Sequence, residues 1–148
     1  MSRLTIWGVE GIGEISANDQ LGEVIADICR QEPNGPLLDN DVLVVTQKIV
    51  SKAEGRLVPI DASDPLSHKH LVEQEAVRIV RRRGDLIITE TKHGFICANS
   101  GIDLSNIERG YAALLPIDSD KSARRIRDII RADRKSTRLN SSHVTSSR

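Results

Sequence analysis

Two lysines that follow an apolar run are spaced to share one side of a helix. Lys48 and Lys52 lie four residues apart in the segment QKIVSKAE at 47–54, and residues at this spacing face the same way on a helix. Two ammonium groups placed like this can converge on a polyphosphate, and the free N–H groups of a helix start also favour anions. Solvated lysines are equally common on helix surfaces. The pattern therefore leaves a phosphate site and an ordinary surface open.

A single carboxylate stands in a polar segment later in the chain. Asp103 lies within NSGIDLSN at 99–106, directly after the apolar run 95–98. Carboxylate oxygen is a ligand that Mg²⁺ and Mn²⁺ accept readily. Asp is also a frequent helix cap, and one carboxylate does not make a metal site. Metal ligand and cap remain alternatives for Asp103 at this point.

Other motifs of nucleotide, metal or nucleophilic chemistry do not fit this sequence. Gly8, Gly11 and Gly13 have the spacing G-x-x-G-x-G, which does not match the dinucleotide fingerprint, and no phosphate-binding loop of the G-x-x-x-x-G-K-[ST] type occurs. Cys29 and Cys97 belong to no metal-binding spacing, which favours small buried thiols. The histidines lie apart from any ligand cluster and receive no role.

Hydrophobic patterning predicts the helices and strands that position these residues. Strands are predicted at 3–9, 41–46, 56–60, 86–89, 95–98 and 111–117. Helices are predicted to begin at Asn18 or Asp19, to cover 47–54, to run from a Ser67 cap to Arg83, and to begin again at Ser119 or Asp120. The run DVLVVT at 41–46 is typical of a central strand buried on both faces. The order of elements predicts an α+β (mixed α/β) fold and not a doubly wound sheet.

Composition indicates one soluble globular domain. The 148 residues are 39% hydrophobic and 28% charged, and none of the apolar runs reaches the roughly 18 to 20 residues of a membrane span. The amino terminus lacks the apolar region of a signal peptide, so a cytoplasmic protein without a membrane partner is expected. Residues 1–133 carry 17 Lys+Arg and 21 Asp+Glu. This mildly acidic balance gives no reason to expect a nucleic-acid partner.

The last sixteen residues differ in character from the rest. Residues 134–148 contain four basic residues and no acidic one, and 133–148 show no hydrophobic periodicity. The stretch DRKSTRLNSSH at 133–143 matches the in-frame translation of a common sequencing-library adapter. We therefore predict that 133–148 is an unstructured tail of translated adapter and that natural sequence ends near Ala132.

Four long segments resemble one enzyme family. They are VEGIGEI at 9–15, DNDVLVVTQKIVSKAEGRLV at 39–58, HGFICANSGIDLSNIERG at 93–110 and ALLPIDSDKSA at 113–123. Together they resemble the coenzyme F420-0:L-glutamate ligase (F420 γ-glutamyl ligase) family over essentially residues 4–132. On this resemblance, 1–132 is the amino-terminal part of the ligase domain. The chain is then a partial domain of a ligase whose carboxy-terminal half is absent.

The resemblance implies a GTP-dependent ligase of coenzyme biosynthesis. Its substrates would be F420-0 and L-glutamate, joined by an amide bond and then by a γ-glutamyl bond through an acyl phosphate. GTP as a substrate, Mg²⁺ or Mn²⁺, and a monovalent cation as a further candidate are the cofactors that it implies. The full-length protein would be a homodimer.

The resemblance also assigns roles to individual residues. Those that would contact GTP are Ile12, Gly13, Glu14, Ile15, Gln47, Lys48, Lys52 and Asn106, and Asp103 would hold a metal ion. Catalytic residues and the remaining metal ligands are not identified.

This sequence differs from the family in two ways. The family's second half, which supplies further metal ligands, is missing, so this chain is expected to be inactive by itself. The region between Arg56 and Asp85 is also shorter than in archaeal members.

A different class of function competes with the ligase. Arg81 to Arg83, and the arginines of the last predicted helix, would suit a non-catalytic nucleotide- or RNA-binding module. Only Trp7, Phe95 and Tyr111 are aromatic, however, and single-stranded RNA readers use aromatic platforms for stacking. The ligase is therefore the preferred hypothesis.

Overall fold

The computed structural model describes residues 3–31, 33–105 and 110–144, with side chains of the last range described as far as Arg134. The chain divides into two compact units. The first consists of Met1–Ile15, Asp19–Val44 and Asp120–Arg148, and the second of Ser16–Asn18 and Val45–Ser119. None of the described helices is long and apolar enough to cross a membrane.

Two helices build the first unit. Helix α1 spans Leu21–Cys29 and helix α4 spans Ser119–Val144. Their buried residues are Leu21, Gly22, Ile25, Ala26 and Cys29 on α1, and Ile126 and Ile130 on α4. A Cβ atom added to Gly22 would lie 2.7 Å from the Cβ of Ile129. The missing side chain of Gly22 thus permits the close packing of the two helices.

Helix α4 runs past the residue at which the predicted tail begins. No Pro or Gly interrupts residues 119–144, so nothing local ends the helix. Asp133 pairs with Arg30, and Arg134 Nη1 lies 2.9 Å from Asp39 Oδ1. The backbone is helical as far as Val144, within the range 133–148 that the sequence predicts to be an unstructured tail. Its adapter origin stays a prediction.

The second unit contains the remaining regular elements. These are α2 (Gln47–Ala53), β1 (Leu57–Pro59), α3 (Lys69–Glu75), β2 (Ala76–Arg83), β3 (Leu86–Thr91), β4 (Ile96–Ala98), a 3₁₀ turn (Asn99–Gly101) and β5 (Tyr111–Ala113). Strands β1 and β5 form an antiparallel pair, and β2, β3 and β4 form an antiparallel sheet in that order. Leu71, Ala112 and Leu114 form the buried core, against which Val58, Ile60 and Ile102 pack. This combination confirms the α+β fold class.

The long helix predicted from Ser67 to Arg83 is wrong in its second half. Helix α3 ends at Glu75, and the chain continues as strand β2, which turns at Gly84 into β3. The segment AVRIVRRR carries three β-branched residues, which favour strands. Pairing with β3 supplies the main-chain hydrogen bonds that a continued helix would have made internally.

Two predicted strands are not formed. Residues 3–9 and 41–46 belong to no strand of the described chain, and Val42 and Val44 are 86% and 85% exposed. The expectation of a central strand buried on both faces is therefore wrong for this structure. An apolar run indicates that the side chains of a segment could be buried in a sheet. Burial requires neighbouring strands, and none pairs with these residues here.

Candidate functional site

The ammonium group of Lys48 and the carboxylate of Asp103 form an ion pair. Lys48 Nζ lies 3.0 Å from Asp103 Oδ2, and the two side chains are 23% and 29% exposed. The same ammonium donates to the main-chain oxygen of Ser105 at 2.7 Å and to its hydroxyl at 3.1 Å. An ammonium has three N–H donors. All three are therefore engaged.

Asp103 is held by the loop that carries it. Its Oδ1 accepts hydrogen bonds from the amide and the hydroxyl of Ser105, both at 2.7 Å. Burial by itself would raise the pKa of the Asp103 carboxyl group, but the hydrogen bonds from Ser105 and Lys48 outweigh it and leave this pKa below its ordinary value. Asp103 is thus a carboxylate at neutral pH.

Strand β5 and the residue that follows it support both charged groups. Asp103 pairs with Ala113 through two main-chain hydrogen bonds of 3.0 and 2.9 Å. Helix α2 is fixed to the next residue, because the fully buried Ser51 donates its hydroxyl to the main-chain oxygen of Leu114 at 2.7 Å. These bonds place Lys48, on the first turn of α2, beside Asp103, although 54 residues separate them in the chain.

The turn before Asp103 adopts a left-handed backbone. Asn99, Ser100 and Gly101 have φ values of 48°, 55° and 70°, a conformation that disfavours residues with a Cβ atom. Ser100 is 1% exposed; its amide donates to Thr89 Oγ1 at 3.1 Å, and its hydroxyl donates to the main-chain oxygen of Val72 at 2.7 Å. Buried hydrogen bonds thus hold the strained turn that leads the chain to Asp103.

The side-chain amide of Gln47 makes hydrogen bonds within the second unit. Its Nε2 donates to Ser51 Oγ at 2.9 Å and to the main-chain oxygen of Leu114 at 3.3 Å. Lys52 lies four residues after Lys48 on the same helix. The structure therefore brings Gln47, Lys48, Lys52 and Asp103 into one unit.

The other predicted site residues belong to the first unit or fall outside the described residues. Ile12, Gly13, Glu14 and Ile15 belong to the first unit, where Ile15 is buried and Gly13 and Glu14 are exposed. Asn106 lies outside the described residues. Contact of all five with GTP stays a prediction.

The described residues contain no cluster of side chains of the usual metal-binding types. Among them, no three His, Cys, Asp or Glu side chains lie close enough to hold an ion. Asp103 supplies one carboxylate, and both of its oxygens already accept hydrogen bonds. The assignment of Asp103 as a metal ligand stays a prediction.

Sequence reasoning missed the residues that support the cluster. Ser51, Ser100 and Ser105 each make side-chain hydrogen bonds there, yet isolated serines carry no motif. A weak signal existed for one pair, because Gln47 and Ser51 are four residues apart within a predicted helix. Their shared acceptor at Leu114 could not be found from spacing.

Comparison with known proteins identifies related sequences. The family model described as F420-0:Gamma-glutamyl ligase matches residues 11–138. The coenzyme F420:L-glutamate ligase of Methanothermobacter thermautotrophicus is 37% identical over 137 residues, which cover 83% of this chain and 54% of the relative. The enzyme of the same name from Methanopyrus kandleri is 38% identical over 132 residues, covering 80% and 50%.

A third relative gives the same result. The coenzyme F420:L-glutamate ligase of Methanocaldococcus jannaschii is 39% identical over 106 residues, which cover 62% of this chain and 42% of the relative. The chain thus spans about half the length of the curated relatives that it matches. Since the family model covers most of its residues, this chain belongs to the F420-0:gamma-glutamyl ligase family.

Proposed function

We propose that the complete protein joins L-glutamate to F420-0 in a GTP-dependent reaction. Membership of the ligase family supports the two substrates. The main structural support for a nucleotide and metal site is the contact of Lys48 with Asp103, which sets a cation and an anion side by side at the start of helix α2.

The proposed chemistry has two steps. A carboxylate oxygen of F420-0 attacks the γ-phosphorus of GTP, the bond to the bridging oxygen breaks, and GDP leaves with an acyl phosphate formed. The amine of glutamate then attacks the acyl carbon, loses a proton, and expels inorganic phosphate. A second glutamate would react in the same way through its amine with the γ-carboxylate of the first.

Lys48 is proposed to exchange partners when the nucleotide binds. Its three donors are occupied in the described structure, so a phosphate oxygen must replace one present acceptor. We propose that the phosphate replaces Asp103 as the partner of Lys48, because the phosphate and the carboxylate are both negatively charged. A carboxylate about 4 Å from a phosphate charge is repelled by roughly 4 kcal/mol at an effective dielectric constant of 20, so Asp103 needs a cation between itself and the nucleotide.

Asp103 is proposed to be one ligand of that cation, Mg²⁺ or Mn²⁺. Its lowered pKa keeps it charged and able to coordinate. The other ligands would come from the part of the family that this chain does not span. A divalent ion bound there would neutralise phosphate charge.

The remaining GTP contacts are assigned by the same proposal. Lys52 would add a second ammonium on the face of α2 that carries Lys48. Gln47 Nε2 is already bonded inside the unit, which leaves its amide oxygen for a nucleotide donor. The segment from Ile12 to Ile15 and Asn106 would complete the nucleotide site.

The decisive experiment compares this chain with a completed one. In the completed chain, residues 1–132 continue into the carboxy-terminal half of the Methanothermobacter thermautotrophicus relative. Mass spectrometry of F420-0 incubated with glutamate, GTP and Mn²⁺ should show glutamate addition by the completed chain and none by residues 1–132 alone. Ligation by residues 1–132 would show that the second half is not required.

Variants of the completed chain test the ion pair. Lys48→Gln and Asp103→Asn should each lower kcat/KM at least about tenfold, equivalent to about 1.4 kcal/mol of transition-state stabilisation. Asp85→Asn is the matched control, because Asp85 lies in an exposed turn and should keep activity within about twofold. Full activity of both site variants would refute the role assigned to the pair.

A further inference from the structure

Two segments of the first unit expose apolar side chains at alternate positions. Leu4 and Ile6 are each 84% exposed, and Val42 and Val44 are 86% and 85% exposed. We call residues 3–9 and 42–44 the open segments. Alternation of this kind is the pattern of a strand whose apolar face is meant to be covered. A folded protein in water seldom leaves such residues bare in groups.

The main-chain N–H and C=O groups of the open segments also lack main-chain partners among the described residues. Among the described residues, none of the amide or carbonyl groups of 3–9 or 42–44 makes a main-chain hydrogen bond. The exposed valine of strand β2 differs in this respect. Val77 is 63% exposed but belongs to a strand paired with β3. In the open segments, exposed apolar side chains at alternate positions coincide with main-chain groups that have no main-chain partner among the described residues, as expected of unfilled strand positions.

We propose that strands from the carboxy-terminal half of the full-length protein pair with the open segments. The chain spans only about half the length of its relatives, so a comparable length of polypeptide exists in them to supply such strands. A segment of the same polypeptide also reaches these edges at a higher effective concentration than a second molecule does. The two halves of the ligase would therefore share a sheet through the first unit.

Hydrogen–deuterium exchange of this chain alone gives the first test. Amides of 3–9 and 42–44 should exchange within about threefold of their intrinsic rates at every protein concentration. Protection in the dilute chain would mean that the segments are already paired, and protection that grows with concentration would make a second copy the occupant. Either result overturns the proposal.

The completed chain described above gives the second test. Its open segments should gain at least about 100-fold protection. The double variant Val42→Asp/Val44→Asp should lose that protection, whereas the matched variant Val77→Asp should keep it, because Val77 lies on a strand that is already paired. Unprotected open segments in the folded completed chain would overturn the proposal.

Co-expression covers the case of a completed chain that does not fold. This chain and a tagged carboxy-terminal half of the relative, made as separate polypeptides, should copurify. Val42→Asp/Val44→Asp should abolish copurification and Val77→Asp should not. Absence of copurification by the unaltered chain would contradict the proposal. None of these measurements depends on ligase activity, so they can fail while the proposed function stands, and the reverse.

Discussion

Replacing Ser100 by alanine removes the hydroxyl that holds the left-handed turn before Asp103. This hydroxyl lies 2.7 Å from the main-chain oxygen of Val72 and 3.0 Å from Thr89 Oγ1, and Ser100 is 1% exposed. A buried hydrogen bond contributes about 1 kcal/mol net, and leaving its partner unsatisfied adds about 1 to 3 kcal/mol. We expect Ser100→Ala to lower the free energy of unfolding by about 2 to 3 kcal/mol.

Urea unfolding measures this loss directly. With a slope of about 2 kcal/mol/M, the midpoint should fall by about 1 M while the slope stays constant. A second variant separates hydrogen bonding from backbone strain. Ser100→Gly loses the same hydroxyl but relieves about 1 to 2 kcal/mol of left-handed strain, of which the greater freedom of unfolded glycine cancels about 0.5 to 1 kcal/mol. Ser100→Gly should therefore be the more stable variant.

Substitution of the hydroxyl's partner gives the matched controls. Thr89→Ser keeps the buried hydroxyl and should lose about 1 kcal/mol or less, whereas Thr89→Val keeps the shape and should lose about 2 kcal/mol or more. A midpoint of Ser100→Ala within about 0.2 M of the unaltered chain would show that this hydroxyl does not stabilise the turn. A Ser100→Gly protein less stable than Ser100→Ala would contradict the left-handed strain assigned to Ser100.

Three further predictions concern pH and packing. Because the folded-state pKa of Asp103 is lowered, its contribution to stability is complete above pH 3.8 and is lost as pH falls through the lowered value; Asp103→Asn should remove this dependence from urea midpoints measured between pH 2 and about 6. Burial, the largest cause, lowers the pKa of His68 in the folded state. The stability associated with its neutral ring is complete above pH 6.5 and is lost as pH falls below that value, because the unfolded chain binds the proton more readily. Urea midpoints of His68→Gln should therefore vary less than those of the unaltered chain between about pH 7.5 and 5. A Cβ atom on Gly35 would lie 1.5 Å from the main-chain oxygen of Cys29. Gly35→Ala should therefore lose about 3 kcal/mol or more, while Gly8→Ala, which meets no atom within 4 Å, should stay within about 0.5 kcal/mol in the same unfolding assay.

Local signals in the sequence were sufficient for several elements. Helix α1 follows from apolar periodicity. Helix α2 follows from polar residues at helical spacing and from a clear end at Gly55, whose φ is 66°. The hairpin of β3 and β4 follows from two apolar runs around a glycine turn. In each case the decisive interactions join residues close in the chain, so spacing carries the information.

Elements that depend on distant partners could not be predicted in this way. Residues 76–83 fit a helical stripe and a strand about equally, and pairing with β3 decided for β2. Residues 41–46 have the composition of a buried strand, yet composition does not say whether a neighbour is present to cover them. Secondary structure here follows from which main-chain groups find partners, and tertiary contacts choose those partners.

The sequence by itself determined which residue types can do chemistry in this protein and, through long ordered motifs, the family to which it belongs. Only the tertiary structure decided that Lys48 meets Asp103, that Gln47 turns inward, and that Ser105 shares the cluster. The physical reason is that strand β5 anchors the Asp103 loop, and Leu114, the residue after this strand, anchors α2, in both cases by hydrogen bonds to main-chain atoms. Every residue carries such main-chain groups, so they leave no mark in the sequence.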